Sequence, residues 1–254
     1  MAFSNNDFNR TGYDSAYQNP ASAYNNVQPM SQENLNLLRL LSEEVISKSF
    51  LFMLVALLIT AFATFTVSPY VALRIMSGPS FLLLIVAEVA IVLVSNWALS
   101  KNNPILAAVL FTIYAYLTGV TLSVLFLIYT TASLFAIFLV TAGVFGVMAV
   151  YGLVTKRDLS SVGNLMMMGL LGVIAMSLVN VLILKSSMFD TIISIVTVLI
   201  FVGLTAYDTQ KIREKVAISN DRNVLSLALY GAFELYLDFI NLFIRLVQLF
   251  GKRR

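Results

Sequence analysis

Ser226–Gly251, SLALYGAFELYLDFINLFIRLVQLFG, decides how the rest of the chain must be arranged. A helix of this length crosses a bilayer, which needs about 20 residues at about 1.5 Å each. Yet the run contains Glu234, Asp238 and Arg245. A charge at bilayer depth costs at least about 2.5–3.5 kcal/mol on insertion scales, so these side chains must face protein, water or one another. Asp238 follows Glu234 by four positions, Asn241 follows Asp238 by three, and Arg245 follows Asn241 by four. Helical spacing places all four on one stripe. A helix with a polar stripe and no soluble side belongs in the middle of a bundle. The fold class that follows is an all-α membrane protein of seven transmembrane helices with the last helix central.

The composition agrees. Of 254 residues, 59% are hydrophobic and 11% charged, which excludes a soluble globular domain. The absence of cysteine removes disulfides and thiolate metal sites. The absence of histidine removes the usual metal ligand and the usual near-neutral base. A net charge of +3 in so apolar a chain reflects membrane topology, and nucleic acid is not an expected partner.

Residues 1–30, rich in Asn, Ser, Tyr and Ala, read as a disordered cytoplasmic tail without the apolar core of a signal peptide. Residues 31–48 read as an interfacial amphipathic helix, opened by Ser31 and Asn34, with Leu37, Leu38, Leu41 and Val45 on one face. Residues 49–254 form the seven-helix domain. Its apolar segments are Phe50–Val67, Ser80–Leu99, Ile105–Tyr129, Ser133–Val154, Leu165–Leu184, Thr191–Ile212 and the stretch quoted above. With the N-terminus on one side, that side holds Arg10, Arg39, Lys48, Lys101, Lys156, Arg157, Lys211, Arg213, Lys215 and Arg222. The opposite loops hold Arg74 and Lys185. The bias makes the N-terminus cytoplasmic. Lys252, Arg253 and Arg254 run against it if the seventh segment crosses fully, and the sequence leaves their side open. Gly143, Gly146, Gly169 and Gly172 mark close helix packing.

Asp208 and Asp238 carry the chemistry. Asp208 lies 17 residues after Thr191 and Asp238 lies 12 after Ser226, on consecutive antiparallel helices. Both therefore fall in the cytoplasmic half of the bundle, where they can face each other. Such a pair shares a proton when held together and repels, or requires a cation, when doubly ionised. Oxygen ligands alone favour a hard cation such as calcium, with Asp208 and Asp238 as its ligands. The structural alternative pairs Asp208 with Lys211 and Asp238 with Arg245. Glu88, the one acid of the second segment, is expected to face the seventh helix and meet Arg245 or a polar neighbour. Asp190 is expected to cap the sixth helix.

The run YDTQKI at Tyr207–Ile212, followed by LYLDFINLF at Leu235–Phe243, resembles the signature of the Bax inhibitor family, the transmembrane Bax inhibitor motif proteins. The similar layout extends over Leu40 to Gly251 and includes AEVAIVLVSNW at Ala87–Trp97. The resemblance implies a seven-helix bundle around its last helix and a pH-sensitive calcium leak controlled by Asp208 and Asp238, with calcium as the transported ion and no cofactor. Eukaryotic relatives are linked to calcium homeostasis and cell-death suppression and some bacterial ones to regulation of a membrane protease, and the compact size without a Pro/Gly-rich tail of the eukaryotic type implies a bacterial inner-membrane member. Where bacterial relatives carry an arginine near the end of the second helix, this chain reads Ala98-Leu99-Ser100-Lys101. Late in the last helix it offers Arg245 and Gln248.

Two further readings compete. A membrane interaction protein regulating a membrane protease would place its motif in residues 1–30, and deleting them would abolish that function and spare a leak. An intramembrane aspartyl protease would use the same two acids, but Leu235 and Leu237 stand where its Gly-x-Gly-Asp motif needs glycine. The orientation is open to a direct test. In this cysteine-free chain, Ser15→Cys should resist an impermeant thiol reagent added to intact cells, and labelling from outside would invert the topology.

Overall fold

The structure, a computed structural model, describes residues 32–77, 79–101, 103–218 and 223–254. The N-terminal tail, the start signal at Ser31 and most of the loop before the last helix lie outside them. The helices are α1 (Gln32–Thr66), α2 (Pro69–Met76), α3 (Ser80–Ser100), α4 (Pro104–Leu122), α5 (Leu125–Ile128), α6 (Thr131–Val154), α7 (Ser160–Val179), α8 (Ser187–Ile218) and α9 (Val224–Phe250). A π turn, Asn180–Leu184, extends α7. Among the described residues seven helices are long and apolar enough to span a membrane, with α4–α5 and α7 with its π turn each counting once. The segment from Gln32 to Lys48 runs without a break into the first span as part of α1.

Local chemistry sets the boundaries. Ser68 accepts the Val71 amide and Pro69 opens α2, a short helix within the first connection. Asn103 accepts the Leu106 amide ahead of Pro104. Asn223 accepts the amides of Leu225 and Ser226, so α9 starts at Val224, two residues before the polar-stripe reading begins it. Asp190 does not cap α8. The helix already begins at Ser187, Ser186 supplies a hydroxyl to the Phe189 amide, and Asp190 sits in the first turn, where its charge suits the helix dipole. Between α7 and α8, Asn180 bonds both the carbonyl and the amide of Ser186, and Lys185 takes φ 47° to make the turn.

The last helix is central, as its polar stripe requires. In α9, 67% of the apolar window is buried, against at most 39% in any other span. It packs most extensively on α8, and also on α6, α4 and α3. Tyr236, fully buried, bonds Thr60 of α1 at 2.6 Å and stacks edge-on against Phe111 and Tyr114 of α4. The windows of α3 and α7 are only 11% buried, which leaves these helices as the lipid-facing periphery.

The glycines that permit close approach are mostly not those expected. A β-carbon at Gly143, Gly146 or Gly172 would meet nothing within 4 Å, and only Gly169, with Ile200 at 3.1 Å, is tight. The close approaches are Gly119 against Thr60 and Ala63, Gly152 against the Ala206 carbonyl, Gly163 against the Tyr207 ring, and Gly231 against Ser49 and Ile212. Without a hydrophobic force between helices in lipid, such backbone approach is a main source of helix association.

The C-terminal tail answers the question that charge counting left open. Lys252 accepts from the Thr130 amide at 3.0 Å and donates its own amide to the Ser133 hydroxyl at 2.9 Å. The Arg254 amide bonds the Ile128 carbonyl at 3.0 Å, and Tyr129 and Arg253 form an antiparallel bridge. The tail thus lies at the turn between the third and fourth spans, so α9 crosses fully. Its three exposed cations sit on the far face, away from the turn at residues 155–159. Two outcomes follow. Gly152→Ala should lower stability by about 1–3 kcal/mol through overpacking against a carbonyl that cannot yield, read as a lower melting temperature in detergent, while Gly143→Ala should cost nothing. Arg254→Cys and Lys156→Cys should label with an impermeant thiol reagent from opposite sides of the membrane.

Candidate functional site

The turn Ala206–Lys211 of α8 distributes its side chains to several neighbours. Tyr207 covers Gly163 of α7. Gln210 reaches the connection between α6 and α7, accepting the Leu159 amide at 2.8 Å and donating to the Arg157 carbonyl at 2.8 Å. Arg213, one turn on, donates to the Leu153 carbonyl at 3.0 Å. Within that connection Asp158 accepts the Ser160 amide at 2.8 Å, and this bonding holds its carboxyl below the usual carboxylate range. Three bonds therefore fix this turn and the end of α6 against α8, directly beside Asp208.

Asp208 and Lys211, three positions apart, point instead at α9. Asp208 and Asp238 are 5% and 4% exposed, the only buried acids among the described residues. They lie across the α8–α9 interface from each other, close enough for the charge of one to act on the other. Lys211 Nζ lies 3.6 Å from Asp208 Oδ1 and 3.9 Å from Glu234 Oε1. The ammonium also lies over the rings of Tyr207, at 5.5 Å, and Tyr230, at 5.8 Å. Lys215 sits on the Tyr230 ring at 3.2 Å. Asp238 Oδ2 is buried and has no hydrogen-bond partner among the described residues. No group of three or more acids there is arranged to hold a metal ion.

Asp208 pairs with Lys211, as the structural alternative expects, and lies beside Asp238 as well. The polar stripe of α9, by contrast, divides. Glu234 and Asp238 join the cluster, but Asn241 donates to the Leu237 carbonyl of its own helix at 2.8 Å. Arg245 does not pair with Asp238. It donates to Gln248 at 2.9 Å, and Asp190 is the acid whose charge it feels. Gln248 in turn accepts from Ser194 of α8 at 3.2 Å. Glu88 does not meet Arg245 either, for its hydrogen bond comes from Thr121 of α4 at 2.6 Å. The hydroxyl satisfies the acid from a neighbouring span, so no cation is needed there. Sequence reasoning missed Gln210, whose side chain is 4% exposed as part of a buried residue although it lies among charges near a helix end. The only signal in the sequence was a polar, uncharged side chain inside the run YDTQKI.

Comparison with known proteins completes the picture. Residues 42–254 match the family described as Inhibitor of apoptosis-promoting Bax1. The inner membrane protein YbhL of Escherichia coli K12 is 43% identical over 208 residues, covering 80% of this chain and 88% of that protein. An uncharacterised protein of Rickettsia prowazekii is 42% identical over 211 residues, 82% of this chain and 89% of its own length. One from Borreliella burgdorferi is 40% identical over 220 residues, 85% and 94%. With seven spanning helices around a central last helix, and with a family match over most of its length, the chain belongs to the Bax inhibitor family of membrane proteins.

Proposed function

We propose that this protein is a pH-sensitive calcium leak of the inner membrane, with the N-terminus cytoplasmic and the contact between Asp208 and Asp238 as its latch. The observation that carries the reading is the meeting of the only two buried acids of the described residues across the α8–α9 interface. With one proton between them, the two acids attract and the helices stay together. Doubly ionised, they repel at close range in a medium that screens poorly, so the interface opens or takes up a cation. Inner-membrane placement rests on the relative YbhL, whose name places it there. A peptide-cleaving role for the same acids is disfavoured by Leu235 and Leu237. Leu235 is fully buried, and no glycine precedes Asp238 by one or three positions to admit a substrate backbone.

The sign of the pH effect follows from proton count. The latched state holds a proton that the doubly ionised state has lost, so lowering the pH favours the latch and raising it favours the leak. Calcium flux into proteoliposomes should therefore rise with pH in the wild-type protein. Asp208→Asn and Asp238→Asn should each flatten that profile, because an amide cannot ionise, and the double variant should add little, since the two act as one unit. Asp190→Asn, in the first turn of α8, should keep the wild-type profile. Wild-type pH dependence in both single variants would show that the acids are structural and end the latch reading.

A further inference from the structure

The end of the bundle that carries the C-terminal tail is strongly cationic. Its turns and helix ends hold Arg74, Lys185, Arg245, Lys252, Arg253 and Arg254 against one acid, Asp190. Membrane insertion favours basic residues on the opposite face, so three consecutive cations are kept here against that preference. Lys252, Arg253 and Arg254 are exposed, and neither they nor Arg74 form an ion pair among the described residues. Their backbone is nonetheless held. Lys252 bonds the Thr130 amide at 3.0 Å and the Ser133 hydroxyl at 2.9 Å, and the Arg254 amide bonds the Ile128 carbonyl at 3.0 Å. Ordering a basic run costs conformational entropy and sets like charges side by side. No acid of the described residues offsets that cost, so the matching charge comes from outside the chain.

The surroundings identify its source. The short helix α5 is a shared neighbour: α2 packs against it, and the tail bonds its last carbonyl. Beside Arg74, α2 carries Tyr70 and Leu73, both half or more exposed, and Phe250, just before the tail, is largely exposed as well. Exposed rings and an exposed leucine among cations, where spanning helices end, match the boundary between acyl chains and headgroups. An acidic protein segment would satisfy the charges alone, whereas an anionic phospholipid brings phosphate and hydrocarbon in one molecule. We propose that this end of the bundle docks anionic phospholipid headgroups. Lys252, Arg253 and Arg254 receive the phosphates from fixed positions, and Arg74 of α2 contributes a fourth cation. The tail then clamps the bundle to the lipids of one leaflet, whatever passes between the acids of α8 and α9.

The test uses the full-length protein in phosphatidylcholine vesicles containing either brominated phosphatidylglycerol or brominated phosphatidylcholine. The one tryptophan, Trp97, lies near the end of α3 at the opposite face. Trp97→Phe combined with Phe250→Trp moves the fluorescent reporter beside the tail. Quenching should show phosphatidylglycerol binding about tenfold or more tightly than phosphatidylcholine, since each Lys or Arg near an anionic surface contributes about fivefold. Changing Lys252, Arg253 and Arg254 together to Gln should bring the two lipids within about twofold of each other. Lys156→Gln with Arg157→Gln, at the opposite face, should leave the preference intact. Inserting Gly-Ser-Gly-Ser between Gly251 and Lys252 keeps every charge but breaks the backbone register, and should lose most of the preference. Melting curves report folding. If the triple variant fails to fold, Arg74→Gln with Arg254→Gln takes its place and should lower the preference at least about threefold. Equal quenching by the two lipids overturns the proposal, as does an undiminished preference in the neutralised variant. An undiminished preference after the insertion would show charge acting without the fixed backbone and overturns it too. Loss of the preference in excess inorganic phosphate would show a site for free phosphate and remove the lipid.

Discussion

The structure depends on placing two acids inside an interface between spanning helices. An ionised carboxylate in such a place must be matched by a proton, a cation or several hydrogen-bond donors, and a leftover charge is strongly destabilising. Here the matching is divided. Asp208 has Asp238 on one side and Lys211 on the other, while Asp238 has no cation of its own. That arrangement determines much of what surrounds it. Both helices must extend past the acids toward the connection that joins them, and α8 accordingly reaches Ile218. The neighbouring spans must approach without side chains in the way, and Gly152 and Gly163 permit this at Ala206 and Tyr207, immediately before Asp208.

One helical turn therefore coordinates three neighbours. At about 100° per residue, Tyr207 faces α7, Asp208 faces α9, Gln210 holds the connection between α6 and α7, and Lys211 returns to the acids. The run YDTQKI is short because its residues act through position on the turn. Replacing any one of them disturbs a different contact, and only two of these contacts involve charge.

The sequence was most legible where the constraint was most severe. Apolar runs longer than the bilayer is thick left no choice about the spans, and acids at membrane depth left little choice about the central helix. The meeting of Asp208 with Asp238 followed from antiparallel order and depth along each helix. Direction around a helix was less legible. Asn241 lies on the same nominal stripe as Asp238, yet an asparagine can satisfy itself on its own backbone, and does so with Leu237. Arg245 and Glu88 attract each other on paper, but a nearby amide and a nearby hydroxyl satisfied each without bringing them together. The glycines were read wrongly for a similar reason. A small residue permits contact without requiring it, so Gly143 and Gly152 look alike in sequence while only one touches a neighbouring backbone. The tail at Lys252–Arg254 was open because a charge bias describes insertion and says nothing about backbone pairing with residues 128–133.

The two sides of α9 differ in what they can release. Toward α1 and α4, Tyr236 is bonded to Thr60 and enclosed by Phe111 and Tyr114, and its neighbour Phe233 packs on the same two aromatics. At the far end, backbone bonds to Ile128, Thr130 and Ser133 hold the chain just past Phe250. Separating either contact exposes polar groups to lipid or breaks apart close-packed rings, with nothing in solution to compensate. Toward α8 the contact is partly electrostatic, and a proton or a cation can replace what is lost. If α9 and α8 separate at all, the physical chemistry favours separation at the acids. The side of the central helix that carries its acids is held in part by charge, and the opposite side is held by ring packing and a buried hydroxyl pair.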